Sequence, residues 1–408
     1  MTSPIKARHS CPQGGIRKLR APFKSALVNG IEPRPQGWKR WSRTASSGIL
    51  RAGPDGETGI RKGLKIPRPQ GHAGSTPAPG TTEEGSAVCY SAQVEESFKR
   101  YVKQFGADID IHAFVKLYGH RAEGRAMRIP KAMDANFAEP ADADQRAIAA
   151  LIEQFDQAEL ARHEQELFKQ RKRLADAERS LQTRVTKAAS ESRRIATNKV
   201  KWLLARMADI KRRELLPRDS RIFPGHYAPV MVMENGRRVI KPMRYQCRPQ
   251  GKPAVYDRKY PGTYNARRDN LEAFWKGQFG HSHGIMVVSA FYENVSRHAL
   301  EGRELGAGEA EENVILEFRP QPAQDMLVAC LWSHWQPPAG ASSPDLLSFA
   351  AITDAPPPEV AAAGHDRCII PVRPAHLEAW LRPGGDLAAA QAILDDRARP
   401  YYEHRMAA

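Results

Sequence analysis

The sequence predicts an α+β fold, in which a bent antiparallel sheet or partly open β-barrel carries peripheral helices and a long helical insertion. Residues 145–216 form a polar-rich helical pattern without Gly or Pro, whereas the chain after Arg218 alternates short β-like runs with Pro and Gly. Short strands in this number favour a strongly curved sheet with its helices on the outside.

The composition is that of a globular protein, because 41% of the 408 residues are hydrophobic, and this length allows two or three domains. No run of 18 apolar residues is present, so we expect no membrane partner, and the N-terminus lacks the apolar stretch of a secretory signal.

The thirteen histidines form no HExxH motif, and the five cysteines form no CxxC pair. We therefore expect a cytoplasmic protein with no metal and no other cofactor.

Residues 1–87 differ in composition from the rest of the chain. They contain 10 Pro and 13 Gly, and their 15 Lys/Arg against 5 Asp/Glu supply +10 of the net charge of +16. Such a segment buries too little apolar surface to offset its ordering entropy. It is either a disordered basic arm that contacts nucleic acid or a stretch that is not natively translated. The second interpretation is favoured, because valine, the residue at Val88, has a GTG codon that can start bacterial translation.

The domain that follows is expected to span residues 88–408, with a helical insertion at about residues 119–216. Short helices are predicted before it, at residues 97–105 and 112–118. The insertion repeats apolar residues every seven positions: Leu160, Leu167, Leu174, Leu181, Ala188, Ile195 and Trp202. This pattern fits one helix of roughly 100 Å and a helical hairpin equally well. Its Lys/Arg excess suits a phosphate backbone, although a solvated face with ion pairs is the favoured explanation.

The second half of the chain contains seven runs that predict strands. They lie at residues 230–233, 239–240, 284–291, 313–318, 326–331, 349–353 and 368–372. Between the first two runs, Asn235-Gly236 predicts a two-residue hairpin turn. Helices are predicted at residues 270–278, 374–381 and 387–394.

Four short phrases contain residue types that support chemistry. They are residues 88–93 (VCYSAQ), 264–267 (YNAR), 289–294 (SAFYEN) and 364–371 (GHDRCIIP). Taken singly, each has a structural explanation. Cys89 suits a small buried position and Asn265 suits a helix cap. Glu293 suits an ion pair with an arginine, and His365 suits a surface loop.

Together and in this order, the four phrases resemble the SOS-response-associated peptidase (SRAP) family of abasic-site processing proteins, in the branch that starts Cys-Tyr-Ser-Ala. The resemblance covers residues 88–97 and 222–381, and residues 242–245 (PMRY) are similar to the family's Met-Arg-Trp segment. The helical insertion is large relative to compact members. The resemblance implies a bacterial protein, nucleoid-associated at damage, whose partner is single-stranded DNA containing abasic sites.

The reaction that the resemblance implies is a covalent crosslink between Cys89 and the aldehyde of an opened abasic sugar. An N-terminal cysteine carries an amine and a thiol on adjacent carbons. The pKa of an α-amine is about 7.7–8.0, so a substantial fraction is neutral in the cell, unlike lysine at about 10.4. The amine forms a Schiff base, and the thiol then closes a five-membered thiazolidine. Because an internal cysteine has no free amine, the residue before Cys89 must be removed.

The resemblance also implies roles for three further catalytic residues. Asn265 would orient the α-amine of Cys89 by hydrogen bonding. Glu293 would move protons and assist removal of the residue before the cysteine, which is the autopeptidase activity of the family. His365 would act as acid and base toward the sugar.

DNA binding is implied for Arg267 and Arg244 as phosphate contacts and for Tyr245 as a stacking surface for a base. Two departures from the family pattern affect this surface. Ser91 stands where the family has an arginine, so one phosphate contact is missing, and Asn294 stands where the family has a tryptophan.

Two other functions compete with the covalent crosslink. A cysteine-dependent peptidase acting on other proteins could use Cys89, His365 and Asn265 as a Cys-His-Asn set. A nucleophile at the first residue of the domain nevertheless suits amine chemistry or self-processing better. A non-catalytic nucleic-acid-binding module would use the basic helices and the leader, but it leaves the four phrases unexplained.

Overall fold

The computed structural model describes residues 91–341 and 343–407. All of them belong to the unit Pro79–Ala408. The predicted leader, residues 1–87, and the predicted nucleophile Cys89 lie outside the described residues. No described helix combines the length and the apolar character that crossing a membrane requires.

The described residues form thirteen strands and ten α-helices. The strands are β1 (Ser91–Val94), β2 (Asp108–Ile109), β3 (Arg221–Ile222), β4 (Tyr227–Glu234), β5 (Arg237–Tyr245), β6 (Asn265–Arg267), β7 (His283–Ser296), β8 (Asn313–Gln321), β9 (Met326–Trp335), β10 (Leu346–Asp354), β11 (Cys368–Ile369), β12 (Pro371–Val372) and β13 (Tyr401–Met406). The helices are α1 (Phe98–Phe105), α2 (Ile111–Ala122), α3 (Lys131–Asp134), α4 (Ala143–Thr183), α5 (Lys187–Lys211), α6 (Tyr256–Lys259), α7 (Arg297–Leu300), α8 (Pro358–Ala362), α9 (Leu377–Leu381) and α10 (Leu387–Asp395).

Five of these strands close a β-barrel, and the predicted α+β class is confirmed. The order around the barrel is β4, β5, β10, β9 and β7, and β7 pairs with β4 to complete the circle. Four of the five pairings are antiparallel, and β5–β10 is the parallel one. The barrel closes because β7 pairs with β9 and also contacts β4 where Met231 lies opposite Ile285.

Strand β7 runs from the barrel into a second group of strands. Its first half pairs with β9, and its second half lies between β1 and β8. Alternate side chains of a strand point to opposite faces. Ile285 and Val287 accordingly pack into one apolar cluster, whereas Met286 and Val288 pack into a second. One strand therefore links the two cores of the molecule.

The hairpin predicted at Asn235-Gly236 is confirmed, since these two residues connect β4 to β5. Both have positive φ angles, 50° for Asn235 and 78° for Gly236. A two-residue turn of this kind needs positive φ at both positions, which asparagine and glycine tolerate best.

The helical insertion is a hairpin of two antiparallel helices, so the structure decides between the two arrangements that the sequence allowed. Arg173 Nε of α4 donates a 3.0 Å hydrogen bond to Ser192 Oγ of α5, and the rings of His163 and Trp202 meet edge to face. Residues 184–186 reverse the chain, and the side chain of Thr186 caps the first turn of α5.

The members of the seven-residue apolar repeat differ in burial before and after this reversal. In α4 the repeat includes Leu167, which is buried against α5. In α5 the buried residues are Ala189, Ala196 and Leu203, each one position after a member of the repeat. Ile195 and Trp202 are consequently exposed, 38% and 51%. The turn resets the helical phase, which a count along the sequence cannot show.

The helix predicted at residues 270–278 is not an α-helix. A short 3₁₀ helix, Arg268–Asn270, is followed by turns in which the amides of Phe274 and Trp275 both donate to the carbonyl oxygen of Asn270. Trp275 and Phe279 are buried. Gly277 and Gly280 weaken a regular helix at this point, and tertiary burial holds the segment as irregular turns.

Glu96 is a buried carboxylate between β1 and α1. Burial, followed by the neighbouring charges of Glu95 and Asp134, raises its pKa well above the usual value. The side chain of Asn136 donates to its backbone carbonyl oxygen at 2.7 Å and ties this segment to the helices that follow. A carboxyl group in this position is disfavoured in its charged form.

We predict that Glu96→Gln raises the free energy of unfolding at neutral pH, because glutamine carries no charge for burial to penalise. The folded pKa lies above the unfolded one, so the wild-type protein loses stability as pH rises from the unfolded pKa to the folded pKa. The gain from glutamine should be small near pH 4 and larger at pH 8. Urea denaturation at both pH values measures it. Glu164→Gln, at an exposed position, is the control and should show no such growth; a gain that is equal at both pH values contradicts the prediction.

Candidate functional site

The site is built on the second half of β7, where Glu293 follows two aromatic residues. Glu293 is paired with Leu316 of β8 and has no exposed surface. Phe291 lies on the same face of the strand and stacks on Phe318 at 5.0 Å between ring centroids. A carboxylate in such apolar surroundings requires a strong polar partner.

His365 is that partner. Its Nε2 lies 3.1 Å from Oε2 of Glu293, and its ring is only 4% exposed. Its Nδ1 lies 2.9 Å from the carbonyl oxygen of Arg367, so both ring nitrogens face oxygen atoms. Gly364 has a φ of 91°, and a Cβ there would approach Ala299 Cβ to 3.2 Å. Glycine therefore allows the tight turn that directs the histidine ring toward β7.

Asn265 lies on β6, which runs parallel to β10 in the register Ala351↔Asn265. Its Oδ1 accepts a short hydrogen bond from the hydroxyl of Thr353, which is fully buried. Thr353 is also paired with Ile369 of β11, the strand that follows His365. Strand β10 thus brings the asparagine phrase and the histidine phrase to its two sides.

Arg267 lies at the end of β6, and half of its side chain is exposed. Its Nη2 is 2.5 Å from Oδ2 of Asp269. Hydrogen bonding to Asp269, and to a smaller extent the charge of Asp366, raises the pKa of Arg267. Its role in phosphate binding stays a prediction.

Arg244 and Tyr245 lie at the end of β5 and are largely buried. Arg244 Nη1 is 2.8 Å from Oδ2 of Asp257, and its Nη2 donates to the carbonyl oxygen of Gln246 at 3.0 Å. Tyr245 is 3% exposed and stacks on Phe349 with 5.2 Å between centroids. Its edge also meets Tyr264, next to Asn265. Both side chains already have partners in the core of the domain, so their predicted DNA contacts require movement and stay predictions.

Strand β1 places the start of the described chain beside Glu293, because Ser91 pairs with Tyr292. Arg221 of β3 donates to the hydroxyl of Ser91 from Nε at 3.0 Å and from Nη2 at 2.9 Å. Its guanidinium also lies 3.7 Å from the ring centroid of Tyr292. The hydroxyl of Tyr292 is 3.1 Å from Gln93 and 3.1 Å from Glu317.

The sequence interpretation missed Arg221, Tyr292 and Glu317. Nothing in the local sequence connects β3 to β1, which are separated by the whole helical insertion. Tyr292 stood inside the phrase that contains Glu293, but strand alternation places it on the opposite face. Only the strand register reveals this polar network beside the first described residue.

Three cysteines lie within the described residues, Cys247, Cys330 and Cys368, and all are buried. Burial raises the pKa of each thiol, to about 12 for Cys247. The charge of Glu293 adds to the rise at Cys368, which places this thiol near the site. Thiols of this kind stay protonated and are poor nucleophiles. The described part of the chain also contains no group of three His, Cys, Asp or Glu side chains suited to a metal ion.

The SOS response associated peptidase (SRAP) family matches this chain over residues 179–408. The match includes Asn265, Glu293 and His365, and it does not reach Cys89 or the Cys-Tyr-Ser-Ala start. No curated protein matches the chain.

Three solved structures show weak likeness to the chain. A protein from Bordetella bronchiseptica is 16% identical with a TM-score of 0.37, over 46% of this chain and 87% of its own. A protein from Bacteroides thetaiotaomicron is 11% identical with a TM-score of 0.37, over 46% and 76%. A phage-related protein from Bordetella bronchiseptica is 19% identical with a TM-score of 0.34, over 46% and 80%.

We predict that Arg221→Met loosens β1 and lowers the free energy of unfolding by about 1–3 kcal/mol, because it removes two hydrogen bonds and the cation–π contacts with Tyr292 and Phe223. Ser91→Ala removes only the hydrogen bonds and should lower it less. Urea denaturation measures both, and hydrogen exchange of the amides of residues 91–94 localises the effect. If Ser91→Ala matches Arg221→Met, the ring contacts of Arg221 contribute nothing.

Proposed function

Because the chain belongs to the SOS response associated peptidase family, a membership that suggests an abasic-site, DNA-associated function, we propose that it crosslinks covalently to abasic sites in single-stranded DNA through Cys89. The observation that carries the proposal is the buried Glu293–His365 pair, 3.1 Å apart, beside the strand that begins at Ser91. An acid–base pair held at the start of a domain suits chemistry on a terminal residue.

The covalent geometry of the chain supports this assignment. Cys89 lies two residues before Ser91, and two residues of extended chain span at most about 7 Å. Ser91 is opposite Tyr292, the neighbour of Glu293. The amine and thiol of Cys89 therefore have a short connection to the strand that pairs with the Glu293-bearing strand β7. The described cysteines, by contrast, are buried thiols with raised pKa values.

The reaction needs no oxidant or reductant. The neutral α-amine of Cys89 attacks the sugar aldehyde, a C–N bond forms, and protonation of the resulting hydroxyl releases water to give an iminium. The thiol sulfur then attacks the same carbon and loses its proton. The C=N electron pair returns to nitrogen, and the thiazolidine ring is closed. One water is lost overall. The amine and the thiol each need a proton acceptor, and the sugar oxygen needs a proton donor.

We assign these proton transfers to Glu293 and His365, whose Oε2 and Nε2 lie 3.1 Å apart and which are both buried. His365 would protonate the sugar oxygen during ring opening and the leaving hydroxyl. Glu293 would take protons from the amine and thiol. Asn265, oriented by Thr353, would hold the amine. Arg267, Arg244 and Tyr245 would contact the DNA, and a phosphate at Arg267 would compete with the exposed Asp269.

The proposal requires a free amine on Cys89. We propose that the domain begins at residue 88, or that the protein cuts its own Val88–Cys89 bond with Glu293 as the proton carrier. The domain would then span residues 88–408 with the insertion at about 119–216, and a DNA-repair role would place the protein in the cytoplasm at the nucleoid.

We predict that protein starting at Cys89 forms a heat-stable adduct with an oligonucleotide that contains one abasic site, visible as a shifted band on a denaturing gel. Cys89→Ser should abolish the band. An additional blocked residue before Cys89 should abolish it as well, because no amine is then free. A band that survives either change contradicts the thiazolidine, whereas hydrolysis of a general protein substrate without any band favours a peptidase.

We predict that Glu293→Gln and His365→Ala each slow adduct formation by roughly 10²-fold or more, the usual contribution of a positioned acid or base. Noncovalent binding of the same oligonucleotide, measured by fluorescence anisotropy, should stay within a few-fold of wild type. Cys368→Ala, which changes a buried side chain outside the proposed chemistry, is the matched control. A loss of binding parallel to the loss of rate would reassign the pair to a structural role.

A further inference from the structure

The distal half of the helical hairpin, residues 169–194, carries a concentrated positive charge. We call this segment the hairpin tip. It contains nine Lys/Arg against three Asp/Glu, a net charge of +6. Residues 88–408 as a whole contain 47 Lys/Arg against 41 Asp/Glu, also +6, so the remainder of that region is balanced. The hairpin tip therefore accounts for the whole net positive charge of residues 88–408.

Most acidic residues of the hairpin tip are engaged locally. Asp176 pairs with Arg179 and Glu191 pairs with Arg194, each with an arginine three residues later. Lys172, Lys187 and Arg193 are exposed, and within the described part of the chain none of them has an ion pair. The sequence favoured a solvated helix face with ion pairs. Such ion pairs account for only part of the positive charge at the hairpin tip.

A groove of about 530 Å³ lies between α4 and α5 at the hairpin tip. Lys169, Lys172 and Arg173 line it from α4, together with the hydroxyl-bearing residues Ser180, Thr186 and Ser192. The one carboxylate in the lining, Asp176, is paired with Arg179. Arg173 is held in place by its 3.0 Å hydrogen bond to Ser192. Ammonium, guanidinium and hydroxyl donors in one open groove complement the oxygens of a phosphodiester backbone.

An exposed aromatic side chain continues this surface along α5. Ser192, Ile195, Lys199 and Trp202 are spaced by three and four residues and so share one helix face. The Nζ of Lys199 lies 4.3 Å from the ring centroid of Trp202, which is half-exposed. Aromatic rings beside cations are the surfaces on which bases of single strands stack.

We propose that the hairpin tip and Trp202 form a second binding surface for single-stranded DNA, separate from the Glu293–His365 site. The groove would hold phosphates and Trp202 would stack a base. This inference rests on the proposed function for the identity of the nucleic acid as DNA. From His163, which faces Trp202, to the end of α4 is 20 residues, or about 30 Å. The hairpin would hold the strand that flanks a captured lesion.

The test uses the full chain and a fluorescein-labelled 40-nucleotide single strand without an abasic site, with binding measured by anisotropy across a salt series. The variant is Lys169→Gln/Lys172→Gln/Arg173→Gln, which keeps good helix formers at all positions. Loss of three phosphate contacts should weaken binding about ten-fold or more at 0.15 M salt. The slope of log K against log salt should become shallower by about 2, since each contact contributes about 0.7.

The matched control is Lys99→Gln/Lys103→Gln/Lys276→Gln, which removes the same charge from exposed positions outside the hairpin. It should change affinity less than three-fold. Trp202→Leu should weaken binding of the single strand several-fold and leave binding of a duplex unchanged. Should the triple variant lose its helical circular dichroism signal, Lys172→Glu alone is measured in its place.

Unchanged affinity and slope in the hairpin variant, or an equal loss in the control, overturn the proposal; the first result would leave the tip to an acidic protein partner. Because the oligonucleotide has no abasic site, failure of the crosslink at Cys89 cannot mimic either result. The same measurements on Cys89→Ser protein should reproduce those on the wild-type sequence.

Discussion

The contact between Glu293 and His365 is the interaction on which the site depends. A carboxylate without exposed surface is costly unless a charged or hydrogen-bonding group compensates it, and His365 Nε2 lies 3.1 Å away. The carbonyl oxygen of Arg367 holds the other ring nitrogen, and the left-handed Gly364 permits the turn. These constraints fix the histidine phrase against β7.

Strand β7 transmits the rigidity of the barrel to this pair. Its first half closes the barrel against β4 and β9, and its second half presents Glu293 on one face and Tyr292 on the other. The Tyr292 face joins Arg221 and Ser91 in a polar network at the start of β1. A site on a strand of this length is positioned more accurately than a site on a loop.

The helical insertion differs from the barrel in its packing and in its charge. Its seam consists of small and apolar residues such as Ala189, Ala196 and Leu203. Its tip has a net charge of +6, whereas the remainder of residues 88–408 is neutral overall. Because residues 184–186 reverse the chain, Ile195 and Trp202 are exposed although they continue the apolar repeat of α4. The repeat left open which of its members are buried, and only the reversal explains why a tryptophan faces solvent.

The sequence by itself determined the α+β class, the turn at Asn235-Gly236, the helical character of the insertion and the four phrases that suggest chemistry. Each depends on local propensity, periodicity or residue type, which neighbouring residues specify. The tertiary structure alone decided the closure of the barrel, the hairpin rather than a single long helix, and the burial of Tyr245. It also brought Glu293 and His365, seventy-two residues apart, into contact. These features depend on strand register and chain reversal. Both are decided by the apolar surface that segments distant in sequence bury against each other.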